Sequence, residues 1–226
     1  MKKKYKKETY KSKKEWLANR GIGGSDIATI LGKSKWQTID DLYSRLVYGR
    51  TKNKITTSRM QEGIDAEPLI RNLFALEHPE FKVKNPPKSS YWLFRSLDND
   101  LIICSPDGLM TDEDGNLYGL EIKDCELIKR EERELWENNE LPQYYFLQLI
   151  QYLIVFNDMK GVCLHARLKY FKFVDDKPVY DYCVERNYWV YRDEVLKEIE
   201  YVKKKEIDFI VNNVLIKKRP TLKIEL

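Results

Sequence analysis

Two carboxylates and one ammonium group are spaced along the chain so that they can meet on one face of a β-sheet. Asp107 lies in the run Ser-Pro-Asp-Gly, and Glu121 and Lys123 follow in a short alternating segment beyond an Asp-Gly turn at 114–115. Residues two apart on a strand share a face, and a hairpin through that turn can return Asp107 beside them. Such a group would bind a hard divalent cation and act on a polyanion. The spacing therefore indicates metal-assisted phosphodiester hydrolysis.

Each of these signals has an ordinary structural explanation when it stands alone. Asp-Gly is the commonest hairpin signal, and a Glu/Lys pair on a surface strand is usually a solvated salt bridge. The combination favours a site, because Ser-Pro-Asp precedes Glu121 and Lys123 at hairpin distance.

Further polar residues interrupt two apolar helical patterns. Glu67 projects from a largely apolar stripe, where a carboxylate is expected to be paired or metal-bound; an ion pair with Arg71 is the alternative. Gln148 lies in a helix that is apolar almost all round, so it needs a hydrogen-bond partner. A packed structural glutamine is one interpretation. Beside an active site, Gln148 would instead orient a metal-bound water or Lys123, and Tyr152 would touch a phosphate.

A glycine-rich turn at 21–26 follows Arg20 and could bind an anion. Its glycines free backbone N–H groups, and Ser25 or Asp26 can N-cap a helix whose N-terminus favours negative charge. It is not a nucleotide-binding P-loop, because G-x4-G-K-[ST] is absent from the sequence. Glycine-rich turns are common, so this pattern alone does not define a site.

The charge is unevenly placed. Residues 1–14 hold eight lysines and one glutamate, whereas residues 15–226 hold 32 basic and 35 acidic residues. The first segment is predicted to be a disordered basic tail, either solvated or in contact with phosphates. Residues 15–226 are predicted to form a single α/β domain that ends in a long helix.

Several classes of protein are disfavoured by the composition. Apolar runs are too short to cross a membrane, and no secretion signal is present, so a cytoplasmic protein is expected. The four cysteines are scattered without a C-x2-C pair, which argues against zinc and disulfides. With only His78 and His165, histidine-metal nucleases and serine or cysteine triads lack their base.

Periodicity predicts a mixed sheet covered by helices on both faces. Helices are predicted over residues 13–20, 27–31, 39–48, 58–77 (perturbed by Pro68) and 142–156, and in a long C-terminal segment with Val195, Ile199, Val202 and Phe209 on one stripe. Strands are predicted over residues 81–85, 91–96, 101–104, 117–123, 162–173 and 179–185.

Four separated motifs resemble the lambda exonuclease and YqaJ-like viral recombinase family, within the PD-(D/E)xK nucleases. The resemblance covers residues 16–156. The motifs are Gly21-Ile-Gly-Gly-Ser-Asp26, Gly63-x3-Glu67, Ser105-Pro-Asp107 with Glu121-Ile-Lys123, and Tyr145-x2-Gln148-x3-Tyr152.

The resemblance implies a restriction-endonuclease-like fold and a Mg²⁺-dependent deoxyribonuclease for which Mn²⁺ can substitute. It implies 5′→3′ digestion of one strand at double-stranded DNA ends, leaving 3′ overhangs for a single-strand-annealing partner. It also implies a ring-shaped homotrimer and a phage or prophage origin in a bacterial cell. Some nucleases of the wider class hold an iron–sulfur cluster, but the clustered cysteines it requires are missing from this sequence.

Roles follow for the matching residues. Asp107, Glu121 and the Ile122 carbonyl would bind metal with Glu67, while Lys123 would position or deprotonate the attacking water. In the family, an arginine and two serines grip the terminal 5′-phosphate. The corresponding residues are Arg20, Ser25 and Ser105, although the Arg-to-Ser spacing is about two residues shorter than in the family pattern.

Two other functional classes remain open on the sequence. One is a non-processive endonuclease of the same fold, as in restriction or CRISPR-adaptation nucleases. The other is a DNA-binding module without turnover, which is disfavoured because every expected catalytic group is present.

Overall fold

A computed structural model of the chain describes residues 5–50 and 57–221. The helices are α1 (Lys13–Ala18), α2 (Gly24–Ile30), α3 (Ile39–Tyr48), α4 (Ser58–Glu77), α5 (Arg130–Glu137), α6 (Gln143–Val155) and α7 (Leu196–Phe209), which continues as a π-helical segment, Ile210–Leu215. The strands are β1 (Tyr5–Tyr10), β2 (Lys82–Lys84), β3 (Tyr91–Ser96), β4 (Ile103–Cys104), β5 (Gly108–Thr111), β6 (Leu117–Leu127), β7 (Gly161–Val174) and β8 (Lys177–Tyr191).

The strands form two sheets. The larger sheet has the order β2-β5-β6-β7-β8, and the smaller has the order β1-β3-β4. Strands β6 and β7 are parallel, whereas the other pairs in the larger sheet are antiparallel. A parallel pair needs a long crossover, which α5 and α6 supply. The predicted mixed sheet between helices is confirmed.

Different helices pack on the two faces of the larger sheet. On one face, α6 packs its apolar side chains, such as Ile150 and Leu153, into a core that includes Leu164 of β7. On the other face, Ile70 and Phe74 of α4 pack in a second core with Leu120, Ile122 and Cys163. Alternate residues of β6 therefore face different helices.

Helix α6 is held at both ends. Pro142 precedes its first turn with φ −50°, close to the value that its ring fixes. At the other end the Arg192 guanidinium donates hydrogen bonds to the carbonyls of Leu153, Phe156 (2.7 Å) and Met159 (2.8 Å), which satisfies groups that a helix end leaves unpaired. In the described residues, neither α6 nor another helix is long and apolar enough to span a membrane.

The N-terminal segment differs from the prediction. Residues 5–10 form β1, which pairs antiparallel with β3, so a disordered tail over 1–14 does not hold for this part. Tyr5 packs edge-on against Phe94 and Phe156, with ring centroids 5.5 and 4.5 Å away. Lys7 lies 3.7 Å from the Trp92 ring centre. Backbone pairing with β3 and these aromatic contacts order the segment despite its lysines. The single-domain assignment for residues 15–226 stays a prediction.

Other elements differ from the prediction in extent. Strand β5 is not predicted, because a run of four residues is too short for its alternation to be recognised. Strands β6 and β8 pass their predicted ends and reach Leu127 and Tyr191, because both pair along β7. Helix α4 runs through Pro68 without a break.

A buried polar cluster joins α7 to the chain that enters the glycine-rich turn. Gln151 Nε2 donates to the carbonyls of Ile22 (3.1 Å) and Ile103 (3.2 Å) and to Glu206 Oε1 (2.8 Å). Glu206 is fully buried, and burial raises its pKa to about 8. The cluster fixes α7 against β4 and the segment at Ile22.

Candidate active site

Four of the predicted site residues meet on the α6 face of β6. Glu121 is only 2% exposed, and its carboxylate accepts hydrogen bonds from three side chains. The donors are Lys123 Nζ, Gln148 Nε2 at 2.6 Å and the Tyr152 hydroxyl. A buried carboxylate requires such partners, and here they come from two elements that are far apart in sequence.

The periodicities of β6 and α6 explain why these groups converge. Glu121 and Lys123 alternate with Leu120 and Ile122, which pack in the core on the α4 side. On α6, Gln148 and Tyr152 are one turn apart and face the sheet together, with 3.4 Å between Nε2 and the hydroxyl.

Asp107 is brought to the same place by the predicted hairpin. Its turn carries Gly115 at φ +81°, a conformation that glycine adopts readily, and Gly108 pairs with Leu120. Asp107 Oδ2 accepts a hydrogen bond from the backbone N–H of Ile122 at 2.8 Å. Asp107 is thereby fixed to the strand that carries Glu121.

The pKa shifts at this site reflect burial and crowded charge. Burial raises the pKa of Asp107 well above its ordinary value, and the negative charges of Glu121 and Glu67 add to the effect. Burial opposes the charge of Lys123, but the carboxylates of Glu121 and Asp107 outweigh it and raise the pKa of Lys123. Burial, reinforced by Glu121, raises the pKa of Tyr152. Lys123 is therefore charged at neutral pH in this arrangement.

Glu67 lies at the edge of the site and makes the ion pair considered as the alternative. Its Oε1 accepts a hydrogen bond from Arg71 Nη1 at 2.9 Å, and the same nitrogen donates to the Asp107 carbonyl at 2.7 Å. Arg71 is 8% exposed, so it is a buried link between α4 and Asp107. From the sequence, Arg71 is predicted only as an ion-pair partner of Glu67 on the same helix. Its contact with Asp107 joins residues 36 positions apart, which no local pattern reveals.

Arg45 holds the glycine-rich turn in place through hydrogen bonds, and it was not identified from the sequence. Arg45 Nη1 donates to the carbonyl of Gly21 at 3.1 Å, and Nη2 donates to Asp26 Oδ2 at 2.8 Å. Asp26 in turn accepts the N–H of Gly23 at 2.9 Å, so Gly23 is the N-cap and Ser25 lies exposed in the first turn of α2. The prediction of Ser25 or Asp26 as the cap is wrong, because Asp26 acts from inside the helix.

Two of the predicted phosphate ligands have unused hydrogen-bond donors. The Arg20 guanidinium stacks 4.7 Å from the Trp16 ring centre, and none of the carboxylates that the structure describes forms an ion pair with it. Burial lowers the pKa of Arg20, while Asp26 counteracts the shift and Arg45 adds to it. The hydroxyl of Ser105 is buried and has no partner in the described residues. Both groups can donate hydrogen bonds to an anionic ligand.

The donor set suits a hard divalent cation. In residues 5–50 and 57–221, no three His, Cys, Asp or Glu side chains converge to hold a metal ion. Mg²⁺, however, is commonly held by one or two carboxylates together with water, and Asp107 and Glu121 can supply them. A cation would also relieve the repulsion that raises the pKa of Asp107. Metal ligation by Asp107, Glu121, Glu67 and the Ile122 carbonyl stays a prediction, with Glu67 paired to Arg71 in this structure.

Close packing between α2 and α6 gives a test of this geometry. A Cβ on Gly24 would lie 2.6 Å from Gln148 Cγ and 3.1 Å from its Cα, whereas one on Gly63 of α4 would meet nothing within 4 Å. We expect Gly24→Ala to lower the free energy of unfolding by about 1–3 kcal/mol and to reduce activity by displacing Gln148. The matched change Gly63→Ala should raise the free energy of unfolding by about 0.5–1 kcal/mol. Urea denaturation measures both, and unchanged stability in Gly24→Ala would contradict the packing.

The chain is similar in sequence to known proteins. The sequence model of the YqaJ-like viral recombinase domain matches residues 15–158. The uncharacterized protein YqaJ of Bacillus subtilis (strain 168) is 26% identical over 151 residues, which are 65% of this chain and 43% of that protein. The chain thus spans less than half of this curated relative.

Solved structures with the same fold include two exonucleases. An alkaline exonuclease from Laribacter hongkongensis has a TM-score of 0.59 at 19% identity, covering 91% of this chain and 96% of that one. A phage-related exonuclease from Haemophilus somnus 129PT has a TM-score of 0.56 at 13% identity, covering 92% of this chain and 100% of that one. These matches confirm the predicted restriction-endonuclease-like fold.

Proposed function

The chain belongs to the YqaJ-like viral recombinase family, and on that premise we propose that it is a Mg²⁺-dependent 5′→3′ exonuclease. It would degrade one strand of linear double-stranded DNA and leave 3′ overhangs. Family and fold support the broader assignment to the deoxyribonucleases. The observation that carries the proposal is the buried Glu121 carboxylate, held by Lys123, Gln148 and Tyr152 beside Asp107.

The proposed mechanism assigns separate tasks to these residues. Asp107 and Glu121 would hold Mg²⁺, which when bound polarises the scissile phosphate and stabilises the leaving 3′-oxyanion. Lys123 would position or deprotonate the attacking water and offset negative charge on the phosphate. Gln148 and Tyr152 hold the Glu121 carboxylate in one orientation. Their hydrogen bonds keep the site organised before DNA arrives.

Arg20, Ser105 and Ser25 would bind the terminal 5′-phosphate. The support is that the Arg20 guanidinium has no ion pair with the described carboxylates and that the buried Ser105 hydroxyl has no hydrogen-bond partner among the described residues. Tyr152 lies 3.4 Å from the Ser105 carbonyl, which puts Ser105 next to the carboxylate site. A phosphate held there would place the neighbouring phosphodiester beside Glu121.

The family resemblance adds three further proposals. The chain would assemble as a ring-shaped homotrimer, act with a single-strand-annealing protein, and work in the cytoplasm of a bacterial cell that carries a phage or prophage.

Metal dependence is the first test of the proposed chemistry. Mg²⁺ and Mn²⁺ should support cleavage of linear duplex DNA, because both accept the oxygen ligands of Asp107 and Glu121 in octahedral geometry. Ca²⁺ should permit binding without rapid hydrolysis, since its looser coordination positions water poorly. Gel assays with each ion and with EDTA make the comparison. Full activity in EDTA would refute the mechanism.

One further assay separates the exonuclease from its alternatives. Linear duplexes with a 5′-phosphate or 5′-hydroxyl are compared with a closed circle in Mg²⁺. Loss of one strand without a ladder of fragments supports the exonuclease. Nicking of the circle indicates an endonuclease of the same fold, and binding without products indicates a DNA-binding module.

A further inference from the structure

Trp36 stands out on the surface near the proposed active site. It is 66% exposed, whereas the other four tryptophans of the chain are buried or half-buried. The Ser34 hydroxyl accepts the backbone N–H groups of Trp36 (3.3 Å) and Gln37 (3.2 Å), so the loop between α2 and α3 has a defined local structure. An indole presented to solvent in this way provides a large, rigid binding surface.

A line of aromatic rings connects Trp36 to Lys123. Trp36 meets Tyr144 edge-on with centroids 4.8 Å apart, and Tyr144 meets Tyr145 at 4.5 Å. Lys123 Nζ lies 5.1 Å from the Tyr145 ring centre. Tyr144 and Tyr145 belong to α6, the helix that also carries Gln148. The exposed indole of Trp36 therefore contacts α6, the helix that contributes Gln148 to the proposed site.

Positive charge accompanies these rings. Lys33 and Lys35 are exposed, and neither forms an ion pair with a carboxylate that the structure describes. Lys35 Nζ lies 6.0 Å from the Tyr144 ring centre. Exposed aromatic rings flanked by unpaired lysines are typical of surfaces that bind single-stranded nucleic acid, where rings stack on bases and lysines contact phosphates.

A second exposed aromatic surface has its lysines offset by carboxylates, since two of them are ion-paired and Lys177 directly follows the turn residues Asp175 and Asp176. The β7–β8 hairpin presents Phe173 and Tyr180, which are 57% and 53% exposed. Its Lys172, however, pairs with Asp181 at 3.0 Å, and Lys169 pairs with Asp124 at 2.8 Å. Charge complementarity therefore favours the Trp36 surface for a polyanion.

We propose that Trp36 stacks on an unpaired base of the DNA strand beside the cut, while Lys33 and Lys35 contact its phosphates. The inference rests on the proposed function as a DNA-end nuclease. Inside a duplex both faces of each base are covered by neighbouring bases, so the indole can stack only on a terminal or unpaired base. A nuclease that separates the strands at an end presents such a base at each step.

The test measures binding without cleavage. The intact chain is titrated, in EDTA and separately in Ca²⁺, with a single-stranded oligonucleotide and with an abasic oligonucleotide of equal length, and tryptophan fluorescence is recorded. Because Trp36 is the exposed tryptophan, base-containing DNA should quench the emission strongly and abasic DNA weakly. Trp36→Ala should weaken binding of base-containing DNA about 5- to 100-fold and leave abasic binding unchanged. Trp36→Phe should restore part of the affinity.

Matched variants make the outcome specific. Lys33→Ala and Lys35→Ala should weaken binding of both oligonucleotides, and Phe173→Ala on the hairpin should weaken neither. Equal quenching by both oligonucleotides, no DNA binding in either buffer, or quenching that depends only on protein concentration would each overturn the proposal. Base-dependent quenching in a chain that does not cleave DNA would uphold the stacking at Trp36 while refuting the proposed function and with it the placement beside a cut.

Discussion

Replacement of Glu121 by Gln is expected to slow DNA cleavage by about 10³-fold or more. The change keeps the size of the side chain but removes the charge that faces Lys123 and would hold the cation. An amide also presents a donor where Gln148 Nε2 now donates at 2.6 Å. Asp107→Asn and Lys123→Met should have comparable effects. Single-turnover cleavage of a linear duplex in Mg²⁺ measures each rate.

Controls separate lost chemistry from lost structure. In EDTA, the melting temperature of the Asp107→Asn variant should be at least as high as that of the unmodified chain. Burial and the neighbouring carboxylates disfavour a negative charge at this position. Glu126→Gln is a matched change on the same strand, at a carboxylate paired with Arg59 at 2.7 Å, and it should retain activity. Near-normal turnover in any of the three site variants would show that the site assignment is wrong.

The second large effect concerns the end of the DNA. A duplex with a 5′-hydroxyl is expected to be cleaved about 10- to 100-fold more slowly than one with a 5′-phosphate, even at saturating DNA. Hydrogen bonds to a phosphate are charge-assisted, and the pocket would place the scissile bond over the carboxylates. Arg20→Met should shrink this difference and leave metal dependence unchanged. Arg59→Met, which removes an exposed arginine paired with Glu126, should preserve it.

Two results would contradict the phosphate pocket in different ways. Equal rates on both ends would indicate an endonuclease or the opposite polarity. Strong discrimination that persists in Arg20→Met would mean that the shortened spacing misassigned the ligand. The ligand of the 5′-phosphate would then lie among Lys13, Lys14 and the basic residues after Lys123.

The sequence could predict those parts of the site that depend on local periodicity. Alternation in β6 correctly placed Glu121 and Lys123 on one face, and the 3.6-residue repeat of α6 brought Gln148 and Tyr152 towards them. The Asp-Gly turn likewise predicted the hairpin that returns Asp107.

The remaining contacts depend on the tertiary fold. Arg71 reaches the Asp107 carbonyl, and Arg45 reaches the glycine-rich turn, across distances in sequence that no local pattern encodes. The lysine-rich start suggested disorder because its charge is obvious. The docking of Tyr5 against Phe94 and Phe156 becomes visible only when the partner strand and helix are in place.

Alternate side chains of β6 face opposite sides of the sheet, and this limits where the gene can gain or lose codons. Inserting or deleting one codon inside β6 would exchange the faces of every residue beyond it, sending Glu121 or Lys123 into the α4 core and its apolar neighbours into the site. The turn at 112–116 is constrained as well, because its length sets the pairing of Gly108 with Leu120 and so places Asp107 beside Ile122. Length variation between homologous genes should therefore concentrate outside the β5–β6 hairpin, while the hairpin changes by substitution.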